Sequence, residues 1–371
     1  MGRRHLLPLA IVLLMHSVLW PTNPSCSQEV AEGSSVRGDS AQPRSVPVWD
    51  ATSSKDVLTL QGHTNSVVSA TFFSDGKKVL TGSGDRTARV WNAQTGEQLI
   101  TIEGTGSNHC YASVNMDGSR ILTVNTPVVK IWDAQSGCES RDFTRQVGLE
   151  RHWPFPFHGS FSPDGKQIAT ASPVFQLSLR DTQTGDAVRT FEGIGYWPNW
   201  AIFSPNGKHL ACGCQTVDDA VRIWDLPTGS ERLVLKDHGG SAWSACFAPD
   251  SQRIATGSVN GKVRIWNVNS GKVLVTLMGH KRIVTAISFS PDGTRVLTGS
   301  QDGTARIWDA EAGTELFILR GHTGIVNAAR FSPDGQRLVT ASSDKTARIW
   351  DFQRFQDTRP ADVNAPGSPS K

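Results

Sequence analysis

The stretch "DGTARIWD" occupies Asp302–Asp309. Near copies stand at Asp344–Asp351 ("DKTARIWD"), Asp85–Asn92 ("DRTARVWN") and Asn260–Asn267 ("NGKVRIWN"). Six tryptophans, Trp91, Trp132, Trp224, Trp266, Trp308 and Trp350, each follow a basic residue by two positions. The last four are evenly spaced, and the step from Trp91 to Trp132 is nearly the same. The step from Trp132 to Trp224 is about double. It divides at Arg180, where "LSLRD" is a worn copy that has lost its Trp. Trp49, in "SVPVWD", stands one step before Trp91 and echoes the same spelling. A fixed period of about 42 residues signals a repeat architecture.

A second set of signals keeps the same period. "FSDG" (Phe73–Gly76), "NMDG" (Asn115–Gly118), "SPDG" (Ser162–Gly165), "SPNG" (Ser204–Gly207), "APDS" (Ala248–Ser251) and two further "SPDG" stretches from Ser290 and Ser332 make seven turns. Pro presets the first corner of a tight turn, and Asp-Gly or Asn-Gly supplies the corner that needs positive φ. Alternating apolar runs such as "IVTAISF" and "RVLTGS" flank them, so each is a hairpin. Single acidic residues at these turns do not make calcium loops, which need several converging oxygens. Each unit therefore predicts strand, hairpin, strand, short turn, strand ending at Trp, Gly-containing turn and a fourth strand. The last unit stops after its third strand. A spare strand, "DVLTL" (Asp56–Leu60), precedes the first. Pairing the two would close the ring and leave no open edge.

The chain has 371 residues, with 35 Gly, 12 Trp, 2 Tyr and a net charge of +3. That balance gives no footprint for nucleic acid, and the composition is not that of a disordered chain. Residues 1–27 predict a secretory signal peptide: a basic start, "LLPLAIVLLMHSVLW", then small polar residues with cleavage before Gln28. An uncleaved membrane anchor is the alternative. The apolar run is short for a span, and Cys26 lacks the usual lipidation context. Residues 28–45 predict a polar linker and 356–371 a disordered tail. Cys212 and Cys214 point to one face of a strand. They read as small buried hydrophobes, with a bridge from either to Cys246 as the alternative. A zinc site would want two spaced pairs.

Gly-His at Gly62–His63, Gly279–His280 and Gly321–His322, "SxDxT" after it, and Trp-Asp recur at matching offsets. On these motifs residues 46–355 resemble the WD40 β-propeller family, with FSPDG-type turns of bacterial character. The resemblance implies an all-β, seven-bladed propeller of four-stranded antiparallel blades, its ring closed by the N-terminal strand pairing with the last blade. It also implies structural tetrads of His, hydroxyl, Asp and Trp: His63, Ser83, Asp85, Trp91; His280, Ser300, Asp302, Trp308; His322, Ser342, Asp344, Trp350. A fifth-unit version has His238, Ser258 and Trp266, with Asn260 for Asp. A Ser-His-Asp catalytic reading fails because an enzyme needs one site and this set recurs around a ring. The basic residues Arg89, Lys130, Arg222, Arg264, Arg306 and Arg348 are likewise dispersed, and carboxylate pairing is expected of them.

Units two, three and four break the pattern. Thr105 and Thr126 stand for His and Asp in unit two; Val174 and Arg180 for Asp and Trp in unit three; Ile194 for His in unit four, with Asp218 at the Asp position. Their entry loops carry aromatics. Neighbouring blades would bring Trp153, Phe155, Tyr196 and Trp197 together, with His109 and Asp218 beside them, as a partner surface. Plugging gaps between worn blades is the plainer role, and Trp200, within a strand, is expected in the core. His109, Cys110, His152 and His158 have no metal-ligand spacing. The expected function is a non-catalytic, monomeric protein-binding scaffold, secreted or periplasmic, without cofactor or metal and without nucleic acid as partner. A glycan- or small-ligand-binding propeller, using Asn108, Asn199, Asp218 and Asp219, is the rival. A propeller-face enzyme would need converging carboxylates or a metal set.

Overall fold

The structure, a computed structural model, describes residues 46–50, 57–104, 109–125, 128–143, 159–172, 176–191, 198–214 and 219–353. The predicted signal peptide, linker and disordered tail lie outside them. The described residues form seven sheets, antiparallel within each blade. Blade six shows how sequence builds one. Val284–Phe289, Arg295–Ser300, Ala305–Asp309 and Glu315–Arg320 are β-branched and apolar runs that pair in succession, from inner to outer. The first hairpin turns on Ser290–Gly293. The Ser290 hydroxyl donates to Asp292, the Asp292 carboxylate accepts the Thr294 N–H, and Gly293 takes φ 70°.

The ring closes as the spare strand predicts. Val57–Leu60 pairs antiparallel with Ala347–Asp351 and becomes the fourth strand of blade seven. Trp49 corrects its sequence reading as an echo of the repeat. Val48–Asp50 lies parallel to Glu315–Arg320 as a fifth strand on blade six. The Ile318 N–H donates to the Pro47 carbonyl at 3.0 Å. Trp49 is 4% exposed and meets Trp350 edge-on, ring centres 5.3 Å apart. The N-terminal segment thus braces two consecutive blades.

Side chains also stitch every seam between adjacent inner strands. The Ser69 hydroxyl accepts the Ala112 N–H at 3.0 Å. Ser113 donates to the Gly159 carbonyl (3.3 Å), Ser160 to Ala201 (3.0 Å) and Ser244 to Val284 (2.9 Å). Thr285 donates to the Val326 carbonyl, and the Asn327 amide returns to the Val67 carbonyl at 2.9 Å. Blade four uses Trp200 instead, its indole N–H donating to Ala242 at 3.1 Å. Trp200 is buried, and Gly213 lies under its ring where any Cβ would collide. The core role expected for Trp200 is therefore its observed one.

Cys246 carries a free thiol, so the alternative bridge to Cys212 or Cys214 does not form. Cys212 packs in the core beside Leu210 and Trp224. No helix among the described residues is long and apolar enough to cross a membrane.

Truncating Trp49 should weaken the closure without touching the repeats. Trp49→Ala is expected to cost about 3–5 kcal/mol, read as a lower midpoint in urea unfolding. A loss below about 1 kcal/mol, the scale of an ordinary surface change, would mean that the fifth strand is dispensable.

Candidate interaction face

Chain direction puts the two hairpin turns of each blade on one face and the His and Asp loops on the other. The second, called the upper face here, carries the predicted sites. In blades one, six and seven the polar set is a relay. The Trp91 indole N–H donates to Thr81 Oγ1 (2.8 Å), Thr81 meets His63 Nε2 (2.8 Å), and His63 Nδ1 meets Asp85 Oδ2 (2.8 Å). Blade six repeats this with Trp308, Thr298, His280 and Asp302. Blade seven repeats it with Trp350, Thr340, His322 and Asp344.

The hydroxyl in each relay corrects the sequence reading. It belongs to Thr81, Thr298 and Thr340, not to Ser83, Ser300 and Ser342. Residues two apart on a strand share a face, but only the threonine is level with the indole. Ser83 instead donates to the Asn65 carbonyl (3.1 Å) and accepts the Asp85 N–H (3.1 Å). Ser300 and Ser342 likewise each accept the N–H of their blade's Asp. The threonine recurs as Thr123, Thr170 and Thr256, even where His or Asp is lost. Recurrence alone does not separate the two, because the serine also recurs, at Ser172 and Ser258. In blade two Trp132 still donates to Thr123 at 2.7 Å, and in blade three Thr170 bonds Ser178.

Blade five shows what the missing carboxylate does. With Asn260 for Asp, the Asn260 amide donates to the Gly239 carbonyl. His238 then turns its Nε2–H to the Leu235 carbonyl (3.1 Å) and accepts from Thr256, which accepts from Trp266. Ser258 again stands outside the relay, near the Gly240 carbonyl at 3.5 Å.

These groups are built for holding, not for reacting. Burial lowers the pKa of His63 and His280, and takes His238 down to about 4. Burial would raise Asp85, but hydrogen bonds from Thr87 and His63 prevail and hold it well below the usual carboxylate range; Asp302 and Asp344 behave likewise. The basic residues before Trp pair as expected in several blades: Lys130 with Glu139 (2.6 Å), Arg222 with Glu231 (3.0 Å) and Arg306 with Glu315 (2.7 Å). Arg89 donates to Gln98 at 2.7 Å and lies 3.9 Å from the Asp85 carboxylate.

Of the predicted partner surface, only His109 is described, half-buried against Gly84 of blade one. Trp153, Phe155, Tyr196, Trp197 and Asp218 lie outside the described residues, as do His152 and His158. Burial pushes the Cys110 thiol up to about 12, which keeps it from acting as a thiolate. Asp219, a rival sugar contact, already accepts from Ser241 at 2.5 Å. Among the described residues no three His, Cys, Asp or Glu side chains converge to hold a metal. The central channel holds about 200 Å³, smaller than a typical ligand pocket of about 300–1,000 Å³. Many of its hydroxyls are bound in the seams.

Two features of the upper face escaped sequence reasoning. Trp243, on the inner strand of blade five, is 38% exposed beside the channel. Around the rim of blades five, six, seven and one, Lys236, Lys281, Arg282, Arg320, Lys345 and Arg86 are exposed. Arg86 and Lys345 take φ 71° and 72°, where the matching turns of blades five and six use Gly261 and Gly303. A side chain there costs about 1 kcal/mol, so these cations sit where the backbone favours glycine.

Comparison with known proteins agrees with this architecture. The family "WD domain, G-beta repeat" matches at residues 54–92, 185–225, 229–267, 271–309 and 313–351, together more than half of the chain. The unmatched stretch contains blade two and most of blade three, where the relay is incomplete. The chain is 27% identical over 215 residues to Protein tipD of Dictyostelium discoideum, covering 57% of this chain and 27% of that one. It is 28% identical over 144 residues to WD repeat-containing protein 82 of Drosophila melanogaster, covering 37% and 44%. A third relative, WD repeat-containing protein SL1-17 of Schistosoma mansoni, is 26% identical over 130 residues, covering 35% and 40%. The chain thus spans less than half the length of each.

Two outcomes follow from the relay. Thr298→Val keeps the shape but strands a buried indole N–H and imidazole; it should cost about 1–3 kcal/mol, whereas Ser300→Ala should cost about 1 kcal/mol. Equal losses in denaturant titrations would return the serine to the relay. The second concerns pH. His238 binds a proton near 6.5 when unfolded but only near 4 when folded. The unfolded state therefore gains protons first on acidification. Stability is full above pH 6.5 and falls toward pH 4, by about 3 kcal/mol for this group. His238→Gln should flatten that part of a stability–pH profile.

Proposed function

The chain belongs to the WD40 repeat family, and on that premise we propose that it is a non-catalytic, monomeric protein-interaction scaffold working in an exported compartment. One observation carries the non-catalytic part. The Thr, His and Asp side chains that resemble catalytic equipment are buried, saturated by one another and repeated in three blades. Among the groups that the described residues expose on the upper face are an indole edge at Trp243 and a rim of cations. Such groups suit recognition by contact on a rigid platform.

A protein partner is favoured over a small ligand because the central channel is narrow and its wall largely bonded. Export rests on the order of residues 1–27: basic start, apolar run, then small polar residues. The aromatic loops of blades three and four, with Trp153, Tyr196 and Trp197, are proposed as the contact surface.

Affinity capture from the exported fraction of the source cell tests both parts. The full chain should retain a partner that a Trp153→Ala, Tyr196→Ala, Trp197→Ala variant of equal melting temperature loses. Retention by the variant would move the site elsewhere, and a Trp243→Ala variant then probes the channel mouth. Intact mass of the recovered chain reads export directly. A mass beginning at Gln28 supports it, and an unprocessed chain in the cytoplasm refutes it.

A further inference from the structure

On the lower face, three seams are filled by one repeated device. Arg120, Arg253 and Arg337 open the second strands of blades two, five and seven, opposite Asp133, Asn267 and Asp351. Each lays its guanidinium over the inner-strand Phe of the next blade: Phe161 at 5.7 Å, Phe289 at 5.6 Å and Phe72 at 5.4 Å. Each also donates to the carbonyl of the next blade's turn glycine: Gly165 (2.7 Å), Gly293 (3.1 Å) and Gly76 (2.6 Å). The wedge is therefore a guanidinium with a fixed π-face and a fixed acceptor.

The other four blades lack it: Lys78 and His209 hold the position in blades one and four, Arg295 of blade six lies over Phe352 instead, and blade three has no cation there. Gln167 holds the same register position, opposite Asp181. The receiving half is still complete on blade four. Phe203 occupies the position of Phe161 and Phe289, and Gly207 forms the same turn at φ 68°. Where a guanidinium nitrogen lies near Gly165 and Gly293, Gly207 has only Pro163 at 4.0 Å. The seam opens into a cleft of about 450 Å³, lined by Phe203, Gly207, Asp164, Gln167, Val188 and Arg189. Arg189, from the outer strand of blade three, fills only part of it: its guanidinium donates to the Leu226 carbonyl at 2.6 Å, the place that Arg120 and Arg337 reach at Thr182 and Ala93, but it neither stacks on Phe203 nor reaches Gly207. The exposed Asp164 carboxylate adds negative charge on the opposite side.

We propose that this cleft between blades three and four receives an arginine side chain from a partner protein, which takes the place that Arg120, Arg253 and Arg337 fill in their own seams. Resting on the scaffold reading above, this names the chemistry of one contact. The guanidinium stacks on Phe203 and donates to the Gly207 carbonyl, with Asp164 balancing its charge. Arginine fits better than lysine because its planar fork stacks and donates at the same time.

The test uses the full chain and acetyl-Gly-Arg-Gly-amide, followed by NMR titration, with the Lys and citrulline peptides as controls. The arginine peptide should bind about tenfold tighter than the citrulline peptide, a difference of about 1.4 kcal/mol. Gln167→Arg refills the seam from within, so it should abolish binding and raise the melting temperature. Val188→Glu, at a position 53% exposed, should tighten binding severalfold and needs no repacking. Equal binding of the arginine and citrulline peptides overturns the proposal, as does undiminished binding by folded Gln167→Arg. Should Gln167→Arg not fold, unchanged binding by Val188→Glu overturns it. If Gln167→Arg loses the peptide but still captures the native partner, the arginine contact is refuted and the scaffold reading stands.

Discussion

An open row of seven blades would leave two apolar faces in water, because each four-stranded sheet buries both its faces only against its neighbours. Ring closure removes that cost, and the chain achieves it by splitting blade seven between its two ends. Val57–Leu60 completes the sheet begun by Val326–Phe331, and Trp49 then wedges beside Trp350. The seam bonds make closure a property of all seven joints. Each inner strand carries a side chain that bonds a neighbour's backbone, and Asn327 brings the circuit back to Val67.

Within a blade the relay does a different job. A buried indole N–H without an acceptor is costly, and the threonine supplies one while its own proton goes to the imidazole. The Asp then holds the ring and caps the turn through Thr87 in blade one, Thr304 in blade six and Thr346 in blade seven. Where His or Asp is lost, the blade improvises. His238 turns to a carbonyl, and Arg180 donates to the Gly185 carbonyl. Independently of the relay, the lower seam between blades three and four opens as a cleft where Gln167 stands in place of a wedge.

Much of this was legible in the sequence because its signals are local and periodic. Evenly spaced Trp residues, seven turn motifs and alternating strands specify seven four-stranded blades. The missing last strand and the spare first one predicted the closure. None of those inferences needs a contact between distant residues. Choosing Thr81 over Ser83 does, since both lie on one face of one strand and only their height against Trp91 separates them. Trp49 misled for a related reason. Its spelling matches the repeat, but its strand partner Leu319 stands near the other end of the chain.

Residue order alone therefore sets the fold: repeat number, strand count, turn chemistry and the way the ring shuts. Which side chains meet across a seam is settled only in three dimensions. That Gln167 faces Phe203 and Gly207, and that Arg120 fills the matching place one seam earlier, follows from register between separate sheets. Register across a ring is set by the packing of whole blades, and no single stretch of the chain encodes it.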